Sequence, residues 1–168
     1  MRRTLLLMRH AKSDWEADYP SDHDRPLNER GVRNARSMGR LLASEGIEPQ
    51  FVISSTALRA RSTAELAIEA GGWQTELRLD PSLYDSEPGE VLAVGTSTAP
   101  EVTRLMLMGH HPTWSMLVKV LTGERVDMRT ASVAVVEVDL DSWAGLPGGT
   151  GSLNRMLTPK SIRSGPGR

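Results

Sequence analysis

The stretch Leu5-Leu6-Leu7-Met8-Arg9-His10 decides the fold: four apolar residues without alternation, closed by a guanidinium and an imidazole. A strand covered on both faces reads this way, whereas a half-solvated strand alternates apolar and polar. The pattern recurs twice. Phe51-Val52-Ile53 runs into Ser54-Ser55, and Leu105-Met106-Leu107-Met108 runs into Gly109-His110. Strands of this kind belong to parallel sheets, with helices in the connections. Asn28 can cap a helix from Glu29 to Glu45, with Val32, Ala35, Leu41 and Leu42 on its apolar side and Gly46 as its stop. A second helix is expected from Ala57 to about Ala70. Pro112 suits the first position of a third, in which Trp114, Leu117, Val118 and Leu121 recur at helical spacing.

Glu76–Leu79 and Ser132–Val138 are further strand candidates, Ala144–Gly151 is a Gly/Pro-rich loop, and Leu153–Leu157 can add an edge strand. The expected fold class is α/β: a three-layer α/β/α sandwich on a mostly parallel central sheet. Residues 1–157 would form one domain, and Thr158–Arg168, with Lys160, Arg163 and Arg168 but no acid, a loose basic tail.

Composition removes several function classes. The chain has 168 residues, the span of one hydrophobic core. Twenty Lys and Arg against 21 Asp and Glu leave a net charge of -1, so no overall field draws nucleic acid. Cysteine is absent, which excludes disulfides, zinc-thiolate sites and thiol nucleophiles. The apolar run after Met1-Arg2-Arg3-Thr4 stops at Arg9, too early for a secretory h-region. The longest stretch free of Asp, Glu, Lys and Arg, Leu105–Val118, falls short of the ~18 residues of a membrane span. A soluble cytoplasmic protein without a membrane partner is the expectation.

Chemistry should gather at one edge of the sheet. Arg9-His10, Ser54-Ser55 and Gly109-His110 all follow the carboxyl ends of apolar strands, where open α/β sheets bind ligands. If Ser55 or Thr56 caps the next helix, Arg59 stands in its first turn, where the macrodipole disfavours a cation unless an anion lies there as well. A phosphate would fit, taking free backbone N–H groups and the guanidinium fork together. Arg61 is also near this end, but residues two apart on a helix are separated by about 200°. Periodicity does not choose between Arg59 and Arg61.

Three segments resemble motifs of the histidine phosphatase superfamily, the phosphoglycerate mutase-like fold. Leu5 to His10 with Ala11-Lys12-Ser13 is similar to its Arg-His-Gly opening, with Ala11 in place of glycine. Ser54-Ser55-Thr56-Ala57-Leu58-Arg59-Ala60-Arg61-Ser62-Thr63-Ala64 resembles its Ser-x-x-x-Arg-Ala-x-x-Thr motif, and Met108-Gly109-His110-His111-Pro112 its Gly-His-Asn-Pro motif. Within the superfamily, the short chain, the Arg-His-Ala-Lys-Ser opening and Asp24-Arg25-Pro26-Leu27 are similar to SixA-type phosphohistidine phosphatases. The resemblance implies that His10 is the nucleophile, that Arg9 and Arg59 bind phosphoryl oxygens, and that His110 is the second catalytic histidine and also holds phosphate. It selects Arg59 over Arg61. Ser13 matches a phosphate-holding hydroxyl, while Trp15-Glu16 stands where an asparagine is common.

Those roles need no metal or cofactor, because a neutral imidazole and two guanidinium forks suffice for phosphoryl transfer. Neighbouring arginines should hold His10 neutral in the empty site. Leu83-Tyr84-Asp85 offers an aspartate where family members carry a glutamate general acid, so Asp85 is the candidate acid. A phosphohistidine substrate would need such an acid least, since imidazole leaves at near-neutral pKa. The 50 residues between Arg59 and His110 leave little chain for a lid, which suits a bulky phosphorylated protein. A small phosphate ester as substrate, and a phosphate-binding adaptor without turnover, are the alternatives. Asp22-His23-Asp24 lacks the spacing of known metal sites, Gly148-Gly149-Thr150-Gly151 lacks the Lys-Ser/Thr of a nucleotide cradle, and His111 reads as a helix-entry residue because adjacent strand residues point oppositely.

Overall fold

Six strands form a single sheet in the computed structural model, which describes residues 1–163. They are β1 (Arg2–Arg9), β2 (Phe51–Ser54), β3 (Glu76–Leu79), β4 (Arg104–Gly109), β5 (Val133–Asp139) and β6 (Gly151–Leu157), in the spatial order β3-β2-β4-β1-β5-β6. The first four are mutually parallel, while β5 and β6 close one edge antiparallel. The helices are α1 (Glu29–Ser44), α2 (Leu58–Gly71), α3 (Pro88–Val94), α4 (Thr113–Thr122) and α5 (Pro159–Arg163).

The two-residue period of a strand sorts the apolar runs into two cores. Leu6, Met8, Val52, Met106 and Met108 pack with Ala35 and Met38 of α1 and Ala60 and Ala64 of α2. Leu5, Leu7, Ile53, Leu105 and Leu107 pack on the opposite face with Trp114 and Leu117 of α4 and with Trp143. Both faces of the central strands are therefore dry, as their unbroken apolar sequence predicts, and the result is the three-layer α/β/α sandwich.

Local signals place the helix ends. Asn28 Oδ1 accepts the Gly31 N–H at 2.8 Å and caps α1, and Gly46 at φ 69° follows its last turn. Gly31 is also required by contact: a Cβ there would lie 2.1 Å from the Lys12 carbonyl oxygen. The start of α1 thus sits directly against the loop that leaves β1. Pro112 takes the cap position of α4 rather than its first turn.

Two loop expectations change. The Gly/Pro-rich stretch folds as a 3-10 helix, Trp143–Gly148, because buried Trp143 and Leu146 give it an apolar side. Of the expected loose tail, Pro159–Arg163 form α5 against α1, and residues 164–168 lie outside the described residues.

Candidate active site

Three strand ends are tied together at the carboxyl edge of the sheet. The His10 N–H donates to the Gly109 carbonyl at 3.0 Å, carrying the β1–β4 ladder one residue further, and the Ser55 N–H donates to the Met108 carbonyl at 3.0 Å. His10, Ser55 and His110 are adjacent for that reason. Gly109 permits the approach of α4, since a Cβ there would meet the buried Trp114 ring at 2.1 Å. The rings of His10 and His110 lie 5.3 Å apart between centroids, tilted by 55°.

Hydrogen bonding fixes the tautomer of His10 and the position of the His110 ring. His10 Nδ1 lies 2.6 Å from the Ala11 carbonyl, which can only accept, so Nδ1 carries the proton and Nε2 keeps its lone pair. Burial pushes the His10 ring down to about 3; the Ala11 bond opposes this, and the charges of His110, Arg59 and Arg9 add to it. The arginines contribute as expected, but burial is the larger cause. His110 is pushed down to about 4, again by burial first and then by Arg59. Its Nε2 stands 2.8 Å from Ser55 Oγ, which also accepts the Ala57 N–H at 3.1 Å. The Ser55 hydroxyl, which can donate one bond and accept two, ties the His110 ring to the start of α2 in either tautomer.

Arg59 is buried in the first turn of α2 and points into the site, whereas Arg61 is half exposed and pairs with Glu65. Thr63, one turn on, donates to the Arg59 carbonyl at 2.7 Å and accepts the Ala11 N–H at 3.0 Å. One buried hydroxyl thereby joins the loop after His10 to the helix that carries Arg59. Arg9 donates from Nη1 to the Met128 carbonyl at 2.9 Å. The Nε atoms of Arg9 and Arg59 are buried without a partner among the described residues. Such orphaned donors are costly in a dry site and are satisfied by a bound oxyanion.

Arg9, His10, Ser13, Arg59, Asp85 and His110 line one cavity of about 370 Å³. Ser13 is buried, and its Oγ accepts from Arg25 Nε at 3.0 Å. Asp85 is exposed at the rim, in the left-handed conformation at φ 53°. His111 also reaches the cavity, because residues 110–112 form a turn in which strand alternation does not operate.

Three further residues enter to which the sequence reading gave no role in the site. Asp22 Oδ2 accepts from Arg59 Nη2 at 3.0 Å and from the Tyr84 hydroxyl at 2.8 Å, and Oδ1 pairs with Arg25 Nη1 at 2.5 Å. Partial burial raises the Asp22 pKa, but the Tyr84 hydrogen bond and the two guanidinium charges outweigh it and leave the carboxyl below its ordinary value. The anion that Arg59 needed at the helix start is thus a side chain of the same protein. The Tyr84 ring forms a wall 5.6 Å from the His110 ring. The available signal was Asp22 three residues before Arg25, a spacing at which opposite charges meet on a turn. His23 instead contacts Thr56 and Asp24 contacts Ser21, so the Asp-His-Asp run diverges.

The profile of the histidine phosphatase superfamily (branch 1) matches residues 5–106. An uncharacterized protein of Mycobacterium tuberculosis is 35% identical over 165 residues, covering 91% of this chain and 100% of that one. A 2,3-bisphosphoglycerate-dependent phosphoglycerate mutase of Clavibacter michiganensis subsp. michiganensis is 39% identical over 95 residues, but this covers 52% of the chain and 38% of the mutase. Among solved structures, the protein histidine phosphatase SixA complexed with tungstate superposes with a TM-score of 0.79 at 26% identity, covering 95% of this chain and 99% of that one. Paired imidazoles at the sheet edge, guanidinium groups around them and a family match that spans His10 and Arg59 lead to one assignment: the chain belongs to the histidine phosphatase superfamily.

Proposed function

We propose that the protein is a metal-independent phosphatase that removes phosphate from phosphohistidine on a protein, through a phosphohistidine intermediate on His10. The observation that carries this is the His10 ring itself, which is buried, neutral, fixed by Ala11 through Nδ1, and has Nε2 free beside Arg59 and His110. The Nε2 lone pair attacks phosphorus while the bond from phosphorus to the leaving imidazole nitrogen breaks; that nitrogen keeps the bonding pair, and the imidazole leaves neutral with its proton on the other ring nitrogen. Arg9 and Arg59 hold the equatorial oxygens. Water then attacks phospho-His10, its proton passes to His110 or to solvent, and inorganic phosphate leaves with His10 neutral again. The likeness to a SixA structure holding tungstate, a tetrahedral oxyanion, supports this reading.

The test is a rapid quench with a labelled phosphohistidine protein. Acid-labile label on the native chain, lost in His10→Ala together with hydrolysis, is the expected outcome; full hydrolysis by His10→Ala would overturn the mechanism. A small-molecule phosphomonoesterase is the second reading, favoured by Asp85 at the cavity rim as a proton donor for an alkoxide. It predicts higher kcat/KM for phosphate esters than for the phosphoprotein.

A further inference from the structure

A second recess, of about 380 Å³, adjoins the catalytic cavity and shares Arg9, Lys12 and Thr130 with it. Separate segments bring three more cations to it: Arg30 in the first turn of α1, Arg129 in the segment before β5, and Lys160 in α5. Five cations therefore face one space, against a single carboxylate, Asp127. Lys12, Arg30, Arg129 and Lys160 make no ion pair within 4.0 Å among the described residues.

This charge is not a by-product of a basic chain, whose net charge is -1. Like charges gathered in a cleft repel one another, and low-dielectric walls focus their field on whatever enters. Arg30 adds a cation at the positive end of the α1 dipole, a placement that destabilises the helix unless an anion sits nearby. Asp22 pairs with Arg59 on the other side of the site; here Glu29 in the same turn offsets Arg30 at the helix, and Asp127 is the one carboxylate that lines the recess against its five cations. The shared wall also fixes where a bound group would lie relative to the chemistry, since Arg9 faces both spaces.

We propose that the recess is a second anion subsite, which takes a further phosphate or carboxylate group that the substrate carries beside the phosphoryl group under attack. The proposal rests on the adjoining cavity being the phosphoryl site. Substrates with one anionic group leave the recess unused, and those with two are selected.

The experiment is calorimetric titration of the full chain, in metal-free buffer, with orthophosphate and with tripolyphosphate. Tripolyphosphate is expected to bind about tenfold more tightly, the effect of two or three added charge contacts. Arg30→Gln and Arg129→Gln should each remove roughly threefold of that preference and leave orthophosphate affinity unchanged. Arg61→Gln, an exposed cation away from the recess, should do nothing. Equal affinity for the two anions, or loss of the preference in Arg61→Gln as much as in Arg129→Gln, would overturn the subsite. Phosphohistidine peptides flanked by glutamate or by serine then separate the sources: a kcat/KM preference for glutamate flanks that disappears in Arg129→Gln assigns carboxylates, and its absence beside a retained tripolyphosphate preference assigns a second phosphate. If His10 takes no label while that preference persists, the phosphatase reading fails and the anion subsite stands.

Discussion

The carboxylate of Asp22 lies 3.0 Å from Nη2 of Arg59, and the Asp22 carbonyl oxygen lies 2.7 Å from Nη1 of the same guanidinium. The group that should grip a phosphoryl oxygen is held by an internal anion, itself steadied by Tyr84 and Arg25. Asp22→Asn removes that negative charge while keeping an oxygen for Tyr84. Inhibition by orthophosphate should become about threefold stronger, because the Asp22 side chain is half exposed and its charge is screened. Measuring the inhibition constant checks this, and weaker inhibition would mean that Asp22 assists binding.

The two buried imidazoles, His10 and His110, predict an acid sensitivity whose sign is fixed. Both rings titrate near 6.5 in the unfolded chain but are pushed down to about 3 and about 4 in the folded protein. The unfolded state therefore binds more protons below 6.5, and stability present at neutral pH is lost as pH falls from 6.5 toward those values. The slope is at most about 1.4 kcal/mol per pH unit for each ring. Urea unfolding at pH 7 and pH 5 should show this loss, and His110→Asn should lose less between the two pH values than the native protein. An equal loss in both would refute the assignment.

Asp85 separates the substrate classes. Asp85→Asn should lower kcat for alkyl phosphates by about a hundredfold if its carboxyl protonates the leaving oxygen, the usual scale of general acid catalysis. Turnover of phosphohistidine should change less than about threefold, because its leaving nitrogen needs little help. Equal losses on both substrates would show that Asp85 shapes the rim rather than donating a proton.

Gly109→Ala tests the packing under the second histidine. Its Cβ would lie 2.1 Å from a tryptophan ring that is completely buried and cannot swing aside. The cost should be about 2 kcal/mol, read as a fall of roughly 6 °C in Tm. Activity should fall as well, since His110 is the next residue; an unchanged Tm would mean that α4 shifts freely.

Much of this arrangement was legible because it depends on local period. Leu5–Met8, Phe51–Ile53 and Leu105–Met108 gave the central strands through unbroken apolarity, and Asn28 and Gly46 gave the ends of α1. The strand ends then pointed to Arg9, His10, Ser55 and His110. The choice of Arg59 over Arg61 was beyond periodicity, since both flank the same helix start, and the burial of Arg59 against the exposure of Arg61 is a tertiary fact. Asp22, Arg25 and Tyr84 lie outside the long helices and strands, where no repeat marks which side faces inward, and Asp22 reaches Arg59 and Tyr84 through contacts 37 and 62 residues long. The cationic recess was hidden for the same reason: its cations, Arg9, Lys12, Arg30, Arg129 and Lys160, come from both ends of a chain whose overall charge is nearly balanced.

Thr63 ties the backbone just after His10 to the backbone of Arg59 through a single hydroxyl. A displacement of α2 would therefore be passed to the chain beside His10 through that hydroxyl. A buried threonine outside the cavity lining thus helps to set the distance between the His10 loop and Arg59, and a change at that hydroxyl would be felt on both sides of the cleft.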